Sequence, residues 1–116
     1  MLERLRLSAE SAVALETCYL SEEEFAGISD VSLRAELQGS LFTTLERKYE
    51  IELAHADEEV DATAADPRTA DLLDVPRREP LLRIRQVIFS TNGKAVLYVL
   101  GFYRSDRHNL VIRRFR

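Results

Sequence analysis

Two arginines and a glutamate near the start of the chain are the residues best suited to bind a charged small molecule. Arg4 and Arg6 lie two positions apart, and Glu16 follows them within the stretch RLRLSAESAVALETCYL. Alternate side chains of a β-strand point to the same face, so a strand here places both arginines together. A guanidinium group binds phosphate or carboxylate oxygens through paired hydrogen bonds, and a carboxylate accepts from sugar hydroxyls or an amino group.

The turn between two strands decides whether Glu16 shares the face of Arg4 and Arg6. A three-residue loop, residues 9–11, would set Glu16 opposite Arg4 on that face, whereas a two-residue loop would place it on the other face. Spacing alone favours an exposed cross-strand ion pair, worth under ~1 kcal/mol, over the wall of a pocket.

The composition excludes several classes of function. The chain has 116 residues, enough for one domain with its own core, and its net charge of −4 argues against these residues binding nucleic acid. Cys18 has no second cysteine to pair with, which favours a reducing cytoplasm. No apolar stretch approaches the ~20 residues of a membrane helix, so we expect no membrane partner. His55 and His108 lack metal-ligand spacing, and we expect neither a metal nor a cofactor.

Alternating apolar residues predict a series of β-strands. The predicted strands are 2–7, 13–19, 51–65, 81–90, 95–104 and 110–115. Asn92-Gly93 lies between two of them and is a strong hairpin signal, because both residue types tolerate a positive φ. The first and fourth of these strands each contain Arg-x-Arg and lead through a turn into an apolar strand. This similarity predicts a pseudo-symmetric antiparallel sheet with helices on one side.

Two helices are predicted between these strands. Leu41, Phe42, Leu45 and Tyr49 recur at helical spacing after Ser40, whose hydroxyl is a good N-cap. Asp66-Pro67 predicts the start of a second helix that ends near Val75. Ser21 with Glu24 predicts a short helical turn, and residues 27–38 are expected to form a loop and a brief helix.

Four motifs in this order resemble one known family, the UTRA domain. They are ALETCYL, GSLFTTLERKYEIEL, AADPRTADLLDVPRREPLLRIRQVIF and NGKAVLYVLGFYRSDRHNL. The UTRA domain is the effector-binding half of GntR-type bacterial transcription repressors of the HutC branch. The resemblance implies an α+β, chorismate lyase-like fold, in which an antiparallel sheet is flanked by helices, and a homodimer.

The resemblance also implies a regulatory domain without catalysis. Its partner would be a small anionic metabolite such as a sugar phosphate, an amino acid or a carboxylate. Such repressors read DNA through an N-terminal winged helix, which residues 1–116 do not contain, so DNA would be contacted only through a part absent here. The first strand and helix of the domain are also expected to be missing before Met1.

The resemblance assigns the effector-binding residues. These are Arg4, Arg6, Glu16, Ser40, Phe42, Leu97 and Tyr103. Tyr103 would donate to a ligand oxygen, and Ser40 with the free amides of its helix start would bind an anion. Phe42 stands where relatives that bind sugar phosphates often have tyrosine. Leu97 stands where many relatives have a second glutamate, which argues for a less polar effector than a hexosamine phosphate.

Two other functions remain open at this point. The same fold serves chorismate lyase, which removes pyruvate from chorismate, and that chemistry also uses arginines and a glutamate in an enclosed site. A dimerisation module that binds no ligand is the second alternative.

Overall fold

A computed structural model describes residues 1–8, 11–27, 41–107 and 110–113. Within them, five strands form an antiparallel sheet in the order β1-β2-β5-β4-β3. The strands are β1 Leu2–Ser8, β2 Ser11–Leu20, β3 Leu53–Ala64, β4 Pro80–Ser90 and β5 Ala95–Arg104; the helices are α1 Leu41–Tyr49 and α2 Pro67–Leu73. The expectations of these five strands and two helices are confirmed. No helix in the described ranges is long and apolar enough to span a membrane.

The two hairpins predicted from sequence pair side by side in the middle of the sheet. In the second hairpin, the Gly93 amide donates to the Ser90 carbonyl at 2.9 Å, and Gly93 adopts a φ of 84° that favours glycine. Strands β2 and β5 are hydrogen-bonded to each other, so the second strand of each hairpin is central. This pairing brings Arg4 and Arg6 of β1 close to Tyr103, which lies near the end of β5.

The ends of helix α2 follow from its flanking residues. The Asp66 carboxylate accepts from the Thr69 amide at 2.8 Å, and proline occupies the first turn. The helix ends at Leu73, two residues before the expected end at Val75, because Asp74 adopts the left-handed conformation with a φ of 56°.

Two other local predictions have different outcomes. Around Ser21, the Phe25 amide donates to the Ser21 carbonyl at 2.9 Å, which confirms a short turn. Ser40 and the segment 28–38 lie outside the described residues, so the expectations for them stay predictions.

The expectation of helices on one side of the sheet is wrong, because α1 and α2 cover opposite faces. Leu41 and Leu45 of α1 pack in a core cluster with Cys18 of β2. Ala70 and Leu73 of α2 pack in a second cluster with Leu15 of β2. Cys18 and Leu15 are an odd number of residues apart in one strand, so their side chains point to opposite faces. The core is therefore divided between the two faces of the sheet.

The strand expected at 110–115 is also not formed in its described part. Leu110, Val111 and Ile112 have no strand assignment and are exposed, Val111 to 88%. Apolar β-branched residues favour a strand only when a neighbouring strand and a core cover them, and neither does so for the described residues 110–113.

Candidate functional site

A β-bulge in β2 sets the register that positions Glu16. The pairs are Ser8 with Ser11, Leu7 with Ala12, Arg6 with Ala14 and Arg4 with Glu16. Val13 is the extra residue between Ala12 and Ala14. Compared with a regular hairpin, it makes every later residue of β2 point to the opposite face of the sheet. A two-residue loop was expected to place Glu16 away from the arginines. The strands are separated by two residues, and the bulge nevertheless returns Glu16 to the face of Arg4.

A cavity of about 480 Å³ lies on the α1 face of the sheet. It is lined by Arg4, Arg6, Glu16, Cys18, Leu41, Phe42, Gln86, Val99 and Tyr103. Its volume falls within the range of small-molecule sites, and polar and apolar side chains share its wall. Five of the seven residues named by the resemblance therefore line one cavity.

Glu16 carries a hydrogen bond on each carboxylate oxygen. Arg6 Nη1 donates to Oε1 at 2.9 Å, and the Tyr103 hydroxyl donates to Oε2 at 2.7 Å. The Glu16 side chain is 15% exposed and that of Arg6 is 53% exposed, so the pair lies at the boundary of the cavity and solvent. Burial, and then the hydrogen bond to Glu16, raise the pKa of Tyr103 well above its ordinary value, so its hydroxyl stays a donor.

Arg4 is the second cation of the cavity wall. It pairs in register with Glu16, yet no hydrogen bond or ion pair joins its side chain to another group in the described part of the chain. Two guanidinium groups and one carboxylate line the cavity, and a second carboxylate, that of Glu58, accepts from the wall residue Gln86. This arrangement can bind an anion.

The remaining residues named by the resemblance have different positions. Phe42, on the first turn of α1, lines the cavity with 36% of its surface exposed. Ser40 lies outside the described residues, and its anion-binding role stays a prediction. Leu97 does not line the cavity; its side chain is buried within the core cluster of α1. Val99, two positions further along β5, lines the wall instead.

Sequence reasoning missed two polar groups of the wall. Cys18 is 3% exposed, and burial, with a smaller effect of Glu16, raises its thiol pKa to about 11. Gln86 donates to Glu58 of the neighbouring strand. The sequence did contain a signal for Gln86 as a wall residue. Gln86 interrupts a row of alternating apolar residues on β4, namely Leu82, Ile84 and Ile88. A single polar residue in such a row has to face either a partner or a cavity.

Comparison with known proteins shows the family to which the chain belongs. Residues 1–109 match the family described as the UTRA domain. The chain belongs to the UTRA domain family. The fold class expected from the sequence, an antiparallel sheet flanked by helices as in chorismate lyase, is confirmed by structures of effector domains of the same family.

Relatives of this UTRA domain include transcription regulators. The HTH-type transcriptional repressor NagR of Bacillus subtilis is 26% identical over 108 residues, which cover 93% of this chain and 43% of NagR. The chain thus spans less than half of that repressor. The ligand-binding domain of a GntR-family regulator from Bordetella bronchiseptica superimposes with a TM-score of 0.90 at 21% identity, over 97% of this chain and 69% of the other. The effector domain of PhnF from Mycobacterium smegmatis gives 0.84 at 24% identity, over 98% and 68%.

Proposed function

We propose that this UTRA domain senses a small anionic metabolite and acts as a regulatory module without catalysis. The observation that carries the proposal is the position of Arg4. It lines a cavity of metabolite size, and within the described residues its guanidinium has no ion-pair partner although Glu16 is its register neighbour. A buried or half-buried cation without a partner is costly, and an anionic ligand removes that cost. Sugar phosphates, amino acids and carboxylates all carry the required charge.

The sensing domain would act within a GntR-type regulator of the HutC branch. NagR and PhnF, whose effector regions this chain resembles, support that assignment. In such a protein, a ligand that prefers one arrangement of the domains shifts the population of DNA-binding conformations of a winged helix. Ligand affinity and operator affinity would then be coupled reciprocally in the bacterial cytoplasm.

Thermal unfolding in the presence of candidate ligands tests the sensor. A panel of sugar phosphates, amino acids and dicarboxylates should contain a ligand that raises the Tm, because a ligand at 100 times its Kd stabilises by about 2.7 kcal/mol. Arg4→Ala should abolish the rise. Arg85→Ala is the matched control: Arg85 is adjacent to Gln86 on β4 and faces away from the cavity, toward Glu59 and Asp61 at 3.7 Å. A rise that survives Arg4→Ala would contradict the proposal.

The two alternative functions give different results in the same experiments. A chorismate lyase-like enzyme would release 4-hydroxybenzoate from chorismate, which absorbance or chromatography detects. A dimerisation module would show no Tm change with any member of the panel. Turnover of chorismate would show that the protein is an enzyme and would contradict the sensor. A panel in which no compound changes the Tm would favour the dimerisation module.

We also propose that the domain forms a homodimer through the β1 side of the sheet. Leu5 and Leu7 of β1 are exposed to 42% and 63%, which leaves apolar surface at this edge. The opposite edge strand, β3, is exposed along most of its length and carries Asp57, Glu58, Glu59 and Asp61. All four of these side chains are acidic, so two copies paired through β3 would repel each other, whereas β1 carries charges of both signs.

A further inference from the structure

The ring of Tyr103 occupies the space that a side chain at position 101 would need. A Cβ placed on Gly101 would lie 2.5 Å from Cε2, 2.9 Å from Cζ and 2.8 Å from the hydroxyl oxygen of Tyr103. Gly101 does not have a positive φ, since the positive-φ glycines of the described chain are Gly27 and Gly93. Glycine is therefore required here for space, and any other residue would displace the ring or the strand.

The register explains why the ring lies there. Tyr103 pairs with Ala14 across the sheet, whereas its hydrogen-bond partner Glu16 pairs with Gly101. The ring must therefore lean along β5 by two residues, over Gly101, for its hydroxyl to reach the carboxylate. Residues 101 and 103 point to the same face of a strand, so a side chain at 101 would stand directly in that path.

We propose that Gly101 is a positioning residue that keeps Arg4 available to an anion. Its missing side chain lets Tyr103 hold one oxygen of Glu16 while Arg6 holds the other. Glu16 is thereby kept from pairing with Arg4, its direct neighbour across the strands. This inference rests on the proposed sensing function, because Arg4 is the group that it leaves for the ligand.

Substitution of Gly101 should release Glu16. In Gly101→Ala, the added methyl group displaces the Tyr103 ring and breaks its hydrogen bond to the Glu16 carboxylate. One oxygen of Glu16 is then free to accept from Arg4, and the ion pair competes with an incoming anion. Tyr103→Phe keeps the ring and removes only the hydroxyl, so it should have the same effect on anion binding through a change that introduces no steric overlap.

Titration of the tyrosines tests the positioning without any ligand. With tyrosine labelled by ¹³C at Cζ, NMR follows the ionisation of each ring, and Tyr103→Phe assigns its signal. The Tyr103 pKa should fall toward the ordinary tyrosine value in Gly101→Ala, because the exposed ring loses its burial and its carboxylate partner. A Tyr103 pKa in Gly101→Ala equal to that of the wild type would overturn the inference.

Binding of inorganic phosphate tests the consequence for Arg4. Phosphate affinity, measured by NMR or calorimetry, should fall about tenfold in both Gly101→Ala and Tyr103→Phe, the effect expected from one hydrogen bond to a charged group. In a Tyr103→Ala background, Gly101→Ala should change nothing further, because the ring it displaces is gone. Weakening by Gly101→Ala that persists in that background would overturn the inference.

The two measurements separate this inference from the proposed function. A wild-type protein that binds no phosphate, together with a lowered Tyr103 pKa in Gly101→Ala, would support the positioning role and count against an anion sensor. Phosphate binding that is equally tight in the wild type, Gly101→Ala and Tyr103→Phe would support the sensor and overturn the positioning role.

Discussion

At the scale of single residues, the cavity offers a ligand a cation and an acceptor. Arg4 carries five N–H donors on a planar fork, which suits a phosphate or a carboxylate. The Glu16 carboxylate accepts one hydrogen bond on each oxygen, and each oxygen has a second lone pair that can accept from a ligand. A ligand that joins an anionic group to a hydroxyl or an amine therefore matches the wall better than an anion alone.

Cys18 should react slowly with alkylating reagents. Burial raises its pKa from 9.0 to about 11, which lowers the thiolate fraction at pH 8 on the order of 100-fold. Its rate of modification by iodoacetamide at pH 8 should therefore be far below the rate in urea, where the thiol is exposed. Mass spectrometry of the modified chain measures both rates, and Cys18→Ser gives the background. Equal rates in the folded and unfolded protein would show that the thiol is accessible.

The same pKa gives the direction of a stability change with pH. The unfolded thiol releases its proton near 9.0 and the folded thiol near 11. The unfolded state therefore binds fewer protons between these values, and the Cys18 contribution to stability is lost as the pH rises from about 9 to 11. In Cys18→Ala, this part of the decline should be missing from chemical denaturation curves.

At the scale of elements, helix α1 has one face in the core and one on the cavity. Leu45 is fully buried, and Leu45→Ala should lower the free energy of unfolding by about 2–5 kcal/mol. Phe42 is 36% exposed on the cavity wall. Phe42→Ala should cost less stability than Leu45→Ala, while it enlarges the cavity and alters which panel members bind. Urea denaturation and the thermal-shift panel measure these two effects, and a reversed order of stability would contradict this division.

The Asp66 cap should stabilise helix α2. Asp66→Ala removes the acceptor of the Thr69 amide and should cost about 1 kcal/mol by denaturation. The hydrogen bond from Thr69 lowers the pKa of Asp66, so this contribution is present at neutral pH and is lost as the pH falls below about 4. Asp71→Ala is the control, because Asp71 is also an exposed aspartate but lies inside the helix and not at its N-cap. Equal losses in the two variants would remove the capping explanation.

Local pattern predicted the strands and helices well but not how they are arranged. The alternation of each strand and the Asp66-Pro67 cap signal are each contained in a short stretch of sequence, so they can be recognised from the sequence directly. The Val13 bulge leaves no comparable signal, because alternation on either side of it looks regular. The faces covered by α1 and α2 depend on contacts between Leu15, Cys18 and residues far along the chain, which no local window contains. The Tyr103–Glu16 hydrogen bond was out of reach for the same reason, since 87 positions separate the two residues.

At the scale of the whole molecule, one sheet separates the cavity on the α1 face from a second core on the α2 face. Leu15 packs against α2 while its neighbour Glu16 faces the cavity, so β2 contributes to both sides. If ligand binding moved Glu16, the adjacent Leu15 would move with it, and its packing against α2 would have to change. In the proposed sensor, the central strands β2 and β5 would connect the ligand to α2.

The homodimer proposal predicts which edge controls association. Leu5→Arg should shift sedimentation equilibrium from dimer toward monomer, because it places a charge in the apolar contact. Val60→Arg on β3, where the side chain is 39% exposed, should leave association unchanged. Dissociation by Val60→Arg and not by Leu5→Arg would assign the contact to β3 instead.

The bulge at Val13 also bears on how the gene can vary in length. Removal of the Val13 codon would yield a regular hairpin in which Arg6 still meets Ala14 and Arg4 still meets Glu16. Loss of the Thr17 codon would instead leave Glu16 opposite Glu3 and turn it away from the cavity face. Homologous genes are thus expected to tolerate a gap at or beside the Val13 codon more readily than a gap at Thr17.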